Sequence, residues 1–524
     1  IRKFFHKYPD YCLQLSYDPT GTEPFSKEQY KELIALCGQE LIDYINTENA
    51  DFVKAHNQFL RKLNPNAKRA IYGPFPQYFC PTLTWHSLRY FGVPDDRELS
   101  EEYYNGFAIF EDYPFSCSYQ TYRGPFALMT LLIHLPDLTV YPELYTGSKG
   151  GCIDGAVKYA HAPMGDYDCP PYQNSTLAFE YVYNTAYKTK DGFGYWNTYG
   201  FHRGMDTCDY INQFVHNWHY VTEHKPFSPL RSTAYLISYD RDADCYTDEA
   251  NYYNQGESGQ TIVYECARET GIPGGFGVTA ELLETLTEKD CDLLVIPSTA
   301  QLKEEERYEI RRLYNAGVNL IALSDITGLE DLFGVRACKK GNIDVSSVEY
   351  NGNKEYVLNT SGSFAYEPVN ATVVVTVNDN VPAVICTPRT ALFNTAMLHL
   401  GCADSSKTVA AKGCFIVGQL IRRAAKDIVT ALSSPLAVGE NVGVTLFRDT
   451  NGNRMLLAID YTPFDNREQT QKEAVIKLNM DDVHSVSCDL PVKFAKRNGT
   501  VREIRFRIPV HGSAFIQLLT SQTD

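Results

Sequence analysis

Glu143 sits in the run Leu138-Thr-Val-Tyr-Pro-Glu-Leu-Tyr-Thr-Gly147, where an apolar stretch delivers a carboxylate to its C-terminal end between Tyr141 and Tyr145. A loop rich in glycine follows, with Gly147, Gly150, Gly151 and Gly155. A carboxylate so placed can attack or stabilise an oxocarbenium-like centre, and retention of configuration needs a second carboxyl about 5–5.5 Å away. The same residue would also serve as a plain strand end paired with Lys149. Glu111 and Asp112, in Phe110-Glu-Asp-Tyr-Pro114, close the preceding apolar run and open onto the same mouth. Either suits the hydroxyls of a sugar, with Tyr113 beside them, or serves as a turn acid before Pro114. In Gly194-Tyr-Trp-Asn-Thr-Tyr-Gly200, Trp196 and Tyr199 would give a pyranose a flat apolar face, or else belong to an aromatic core.

Most of the 37 tyrosines and all three tryptophans lie before residue 226, so the first segment differs in kind from the rest. Residues 26–62 carry apolar residues at helical spacing, and short apolar runs follow at 69–72, 106–110, 138–141 and 194–199. Strand, loop and helix in repetition make a parallel α/β sheet or barrel, whose chemistry sits at the C-terminal ends of strands. Pro226 and Pro229 interrupt this pattern.

A second α/β unit then begins with strands at 234–238, 291–297 and 319–323 and helices at 258–270 and around Ile310, Leu313 and Tyr314. Ser298 or Thr299 is expected to cap the latter helix and Gly317 to stop it. Residues 341–393 read as a β-rich insertion with an Asn351-Gly352 hairpin turn, before helix returns over 414–432. The third unit, from about residue 440, opens with a hairpin over 442–459. Period-two alternation at Ile504, Phe506 and Ile508 and an apolar run at 514–519 complete a small antiparallel β-sandwich.

These features together resemble the glycoside hydrolase family 42 β-galactosidases and related clan A families. The resemblance rests on the aromatic-rich first segment, Asp112-Tyr113-Pro114 near a strand end, the strand-borne Glu143 and the Trp196 strand. It is strongest in CDLLVIPSTAQLKEEERYEIRRLYNAGVNLIALSD (residues 291–325) and the following Gly328-Leu-Glu-Asp-Leu-Phe-Gly-Val335, which resemble the amidotransferase-like trimerisation domain of those enzymes. The resemblance implies an α/β fold in three parts. These are a (β/α)8 TIM-barrel portion over 1–228, a doubly wound amidotransferase-like domain with a β-rich insertion over 229–437, and a C-terminal antiparallel β-sandwich over 438–524. It implies a homotrimer and a carbohydrate substrate, with Glu143 as nucleophile. Glu111, Asp112, Tyr113, Tyr145, Trp196 and Tyr199 are the substrate-binding candidates. The family's acid/base, a Glu after Asn on the fourth strand, has no counterpart at a strand end here. If the strands at 69, 106, 138 and 194 are the fifth to eighth, it lies upstream of Ile1. Otherwise Tyr11–Tyr17 is the fourth strand and Asp18 or Glu23 the substitute. A barrel cut at its fourth strand would leave two sheet edges open, so residues 1–225 are not expected to be stable alone.

Other chemistries fit less well. The 48 Lys and Arg against 64 Asp and Glu give a net charge of −16, a field that repels nucleic acid and anionic lipid. No apolar run is long enough for a membrane helix. The equivalent of an amidotransferase nucleophile elbow is Leu323-Ser324-Asp325, without cysteine, and Cys291 lies at the wrong end of its strand. Gly271–Gly277 lacks dinucleotide-loop spacing, so no cofactor is expected. His216 and His219, three apart, could share a helix face with His202 or Cys208 nearby, but ordinary surface or pocket histidines are the better reading, and no metal is expected. Fifteen scattered cysteines without a Cys-x-x-Cys pair fit reduced thiols in a cytoplasm, although four Asn-x-Ser/Thr sequons are compatible with secretion.

Overall fold

The structure is a computed structural model that describes residues 2–15, 17–18, 20–21, 26–66, 69–73, 106–112, 139–145, 194–196, 227–229, 233–236, 263, 266, 275–278, 280–296, 302–323, 326–338, 342–394, 419–432, 442–449, 453–460, 471–478, 480–509 and 513–520. It opens with three helices, α1 (Arg2–Lys7), α2 (Pro9–Gln14) and α3 (Lys27–Leu63). Helix α2 replaces the strand expected over Tyr11–Tyr17. Pro9 occupies the first turn of α2, where its fixed φ suits a helix and its missing N–H costs nothing. Phe4, Tyr8, Tyr11 and Cys12 recur at helical spacing and pack against Leu33, Cys37, Leu41 and Tyr44 of α3. The rings of Phe4 and Tyr11 stack 5.9 Å apart. Helix α3 starts at a capping box, in which Ser26 Oγ accepts from Gln29 N and Gln29 Oε1 accepts from Ser26 N.

Four strands, β1 (Arg69–Gly73), β2 (Gly106–Asp112), β3 (Thr139–Tyr145) and β4 (Gly194–Trp196), form an all-parallel sheet in that order. The parallel sheet expected of the first segment is thus present, and parallel neighbours require crossover connections; the helices expected between its strands lie outside the described residues.

The next strands are β5 (Phe227–Pro229), β6 (Thr233–Leu236), β7 (Gly275–Val278), β8 (Leu293–Ile296) and β9 (Asn319–Leu323). Between β7 and β9 lie helices α4 (Ala280–Leu283) and α5 (Glu304–Ala316), and α6 (Glu330–Phe333) follows. Strands β10 (Val335–Ala337), β11 (Asn342–Tyr350), β12 (Asn353–Ser363), β13 (Tyr366–Pro368), β14 (Thr372–Val377), β15 (Val381–Cys386) and β16 (Thr390–Phe393) precede α7 (Gln419–Leu432). A nine-stranded mixed sheet runs β12-β11-β14-β15-β16-β9-β8-β6-β7. Its β16-β9-β8-β6-β7 part is parallel and its other pairings antiparallel. The stretch expected as an insertion therefore extends the parallel sheet itself, through β16. Strands β6 and β8 are buried throughout, as strands covered on both faces must be, which explains their unbroken apolar sequence.

Gly317 stops α5 as expected, at φ 119°. The N-cap is Lys303 rather than Ser298 or Thr299, which lie outside the described residues; Glu306 Oε2 accepts from Lys303 N at 2.8 Å. The hairpin turn at Asn351 and Gly352 has φ of 49° and 72°, the conformation a two-residue Asn-Gly loop favours. Arg389 locks α5 onto the sheet: its Nη2 donates to the carbonyls of Tyr314 (2.7 Å) and Val318 (2.9 Å), and its Nε to Asn319 Oδ1 (3.2 Å). The guanidinium also lies 4.3 Å from the Tyr314 ring centroid. Arg389→Ala is expected to cost roughly 1.5–3 kcal/mol in denaturant unfolding. Arg389→Lys should restore under half of that, because an ammonium cannot span three acceptors and a ring.

Tyr350 joins β11 to α7 by donating its hydroxyl to Asp427 Oδ2 at 2.6 Å. Burial, then the bond to Asp427, pushes the phenol up to about 12. The raised folded-state value makes this contribution complete below the ordinary tyrosine range near pH 10 and lost as pH climbs towards 12. The stability gap between the wild type and Tyr350→Phe, about 1–1.5 kcal/mol at pH 8, should narrow between pH 10 and 12 in urea titrations.

The C-terminal strands are β17 (Val442–Asp449), β18 (Arg454–Asp460), β19 (Gln471–Lys477), β20 (Ser485–Cys488), β21 (Val492–Arg497), β22 (Thr500–Pro509) and β23 (Ser513–Leu519). They form a five-stranded sheet, β20-β23-β18-β17-β5, and a three-stranded sheet, β19-β22-β21, around a core that includes Val444, Leu456, Ile476, Ile504, Phe506 and Ile516. The antiparallel two-sheet expectation holds, with one addition: β5, from the proline-interrupted junction, pairs with β17. Phe447, Met455, Leu457 and Phe515 instead join the core of the nine-stranded sheet.

Candidate functional site

The register of the parallel sheet brings the sequence candidates to its C-terminal end. Gly73, Phe110 and Pro142 share one row across β1, β2 and β3. The next row is Glu111, Glu143 and Gly194 across β2, β3 and β4, and the row beyond it Asp112, Leu144 and Tyr195. Tyr145 and Trp196 are partners one step further. Pro142 has no N–H to give a ladder, and β4 first pairs with β3 one residue later, at Glu143.

Five of the seven candidates, Glu111, Asp112, Glu143, Tyr145 and Trp196, thus fall within three consecutive rows of one sheet end. Tyr113 and Tyr199 lie outside the described residues, as do Lys149 and the glycines after Glu143. Sequence reasoning did not single out Gly194 as the partner of Glu143. Its signal was a glycine heading an aromatic run, where a residue without a side chain leaves one flank of Glu143's register position open. Ligands of parallel α/β sheets bind outside the carboxyl ends of the strands, where these rows lie.

Asp18 does not fit the role of a proton donor. Its Oδ1 accepts from Thr20 N at 2.8 Å and from Thr20 Oγ1 at 2.6 Å, and the bonds from Thr20 hold its carboxyl below the usual range. A general acid needs the opposite shift. It also follows helix α2 rather than a strand end, so the alternative built on a fourth strand at Tyr11–Tyr17 is corrected. Glu23 lies outside the described residues.

The nine-stranded sheet offers a cavity of about 340 Å³ at the N-terminal ends of β8 and β9, lined by residues that include Glu288, Cys291, Asp292, Gly317, Asn319 and Leu432. Burial pushes the Cys291 thiol up to about 12, so it stays protonated and is no nucleophile near neutral pH. Ser324 and Asp325, at the place of an amidotransferase elbow, and the His202, Cys208, His216 and His219 set lie outside the described residues. Among the described residues no three His, Cys, Asp or Glu side chains gather to hold a metal, and no helix is long and apolar enough to cross a membrane.

A parallel sheet with acids and aromatics at its carboxyl end, a mixed α/β sheet and a β-sandwich in succession make up a glycosidase fold. More narrowly, it is the fold of the GH42 β-galactosidases. Gan42B, a GH42 β-galactosidase from G. stearothermophilus, matches over 98% of this chain and 74% of its own, at 11% identity and TM-score 0.58. The cold-adapted β-galactosidase from Rahnella sp. R3 matches over the same shares at 11% identity and TM-score 0.59. An α-L-fucosidase isoenzyme 2 from Paenibacillus thiaminolyticus matches over 98% of this chain and 75% of its own, at 12% identity and TM-score 0.51. No protein-family model matches the chain, and no curated protein matches it in sequence.

Proposed function

We propose that the chain is a glycoside hydrolase that cleaves a β-linked sugar by double displacement, with Glu143 as the nucleophile. The observation that carries this reading is the row of Glu111, Glu143 and Gly194 at the carboxyl end of a parallel sheet, in a chain with the GH42 β-galactosidase fold. Glu143 attacks the anomeric carbon from the opened row, and Glu111, Asp112, Tyr113, Tyr145, Trp196 and Tyr199 bind the sugar, the aromatics stacking on its faces. The competing reading is a carbohydrate-binding or scaffold subunit without activity. It draws on Asp18, a substitute acid committed to its own turn. Hydrolysis of a panel of aryl β-glycosides by the full chain decides between them, with a 2-fluoro sugar to trap the glycosyl-enzyme. Release of aglycone and label on Glu143 support the enzyme; binding without hydrolysis across the panel favours the subunit.

The mixed sheet is the amidotransferase-like unit in this reading, within boundaries at 229–437, and its role is assembly. Cys291 is neutral and buried there, which fits retention for packing rather than chemistry. Closed three-fold symmetry is the expected arrangement. Light scattering should give a mass near three times the 59.2 kDa of one chain, and a mass near a single chain would remove the assembly role.

A further inference from the structure

The hairpin of β21 and β22 carries a charge opposite to that of the whole molecule. Residues 492–507 hold six Lys and Arg against one acid, Glu503, in a chain of net charge −16. We infer that this hairpin is a docking site for an acidic polysaccharide, laid along the open edge of β21. The choice of a glycan rests on the glycosidase reading above, while the site itself lies on the C-terminal sandwich rather than on the parallel sheet.

The turn at Asn498 and Gly499, with φ of 53° and 81°, folds β22 back on β21. Ile504, Phe506 and Ile508 alternate inward to the sandwich core, so Arg505 and Arg507 face outward. Lys493 is the register partner of Arg505 and shares that outer face. Arg505 is committed to Glu503 at 2.6 Å and to Glu473 at 3.5 Å, and Arg502 to Asp481. Lys493, Arg497 and Arg507 are exposed and have no acid partner among the described residues. Phe494, 41% exposed, lies on the same edge strand, with Lys496 Nζ 5.6 Å from its ring centroid.

Strand β21 closes one side of the three-stranded sheet, and its residues 493–497 are exposed throughout. Lysines on an edge strand discourage pairing with another chain. That role needs neither an exposed Phe494 nor an unpaired Arg507 on the central strand β22. A pyranose stacks on such a ring, and carboxylates on neighbouring sugars meet the cations. Cations two residues apart on one face of a strand recur about every 6.8 Å, which suits a polymer with at most one carboxylate per ring. Duplex DNA carries a charge about every 1.7 Å and needs a denser footprint. At physiological ionic strength fields fade over about 8 Å, so at its surface the hairpin's own sign outweighs the net charge of the chain.

The test is calorimetric titration of the full chain with sodium polygalacturonate, with a neutral galactan and duplex DNA as comparisons. Polygalacturonate should bind, more weakly as salt rises, and the neutral polymer should not. Removing the three unpaired charges together, by Lys493→Gln, Arg497→Gln and Arg507→Gln, should weaken binding by roughly 3- to 100-fold and flatten its salt dependence. Phe494→Ala should weaken it by about 2- to 10-fold and leave the salt dependence unchanged. Both variants should keep the wild-type unfolding midpoint; if the triple variant does not fold, Lys493→Gln and Arg507→Gln are measured singly. Absence of polygalacturonate binding, equal binding of duplex DNA, or unaltered binding in the charge variants overturns the site. The readout is binding alone, so failure of the wild type to hydrolyse any glycoside overturns the proposed reaction and not the docking site.

Discussion

Glu143→Gln should lower the hydrolysis of aryl β-glycosides by several orders of magnitude while leaving sugar affinity within a few-fold. The amide keeps the size and most of the hydrogen bonding of the acid, so binding shared by ground and transition states survives. It loses the charge and nucleophilic oxygen on which the glycosyl-enzyme depends, so the loss falls on kcat rather than KM. A 2-fluoro sugar should label the wild type at Glu143 and leave the variant unlabelled. Full activity in Glu143→Gln, or label on another residue of the wild type, would end the assignment. Asp112→Asn is the contrast: a hydroxyl contact made in both states should raise KM and leave kcat near its wild-type value.

The largest expected effect on stability belongs to Gly334. It ends α6 in the left-handed conformation at φ 64°, and its carbonyl accepts from Val369 N at 2.8 Å and Asn370 N at 2.9 Å. A Cβ there would meet the Asn370 carbonyl oxygen at 2.8 Å and its carbon at 3.0 Å, backbone atoms held by those same bonds. Left-handed strain adds about 1–2 kcal/mol and overpacking about 1–3 kcal/mol, so Gly334→Ala should lose roughly 2–5 kcal/mol in equilibrium unfolding. Gly317→Ala is the control. A Cβ at Gly317 meets nothing within 4 Å, so strain alone, about 1–2 kcal/mol, is expected. Equal losses in the two variants would show that contact at Asn370 contributes nothing.

What the sequence disclosed follows from how each residue is stabilised. Strands β6, β8 and β9 were legible because burial on both faces demands unbroken apolar runs, and Gly317 because a left-handed stop tolerates few other residues. Residues 9–14 misled because aromatic and apolar residues suit strands and helices alike; the decision came from packing against Leu33, Cys37 and Leu41, which no local window contains. The cap of α5 was sought at Ser298 and Thr299 because hydroxyls are usual there, whereas the reach of Glu306 back to the Lys303 N–H sets the start. In the candidate site the acids and aromatics could be named from their strand ends. Their rows could not, because pairing register depends on connections of 26 to 48 residues between β1, β2, β3 and β4 whose lengths carry no phase information.

The pairing of β5 with β17 joins Pro229 to Phe447, 218 residues apart along the chain. It works as a clasp: everything between forms a closed loop that enters and leaves at one point. Closing a flexible loop of that length costs on the order of 5 kcal/mol in chain entropy, more than three residue pairs of edge strand recover. The clasp is therefore favourable once the intervening chain has folded and drawn its own ends together. A three-residue strand in a proline-marked junction thus serves as a latch that fastens late, reporting that the segment it encloses is complete.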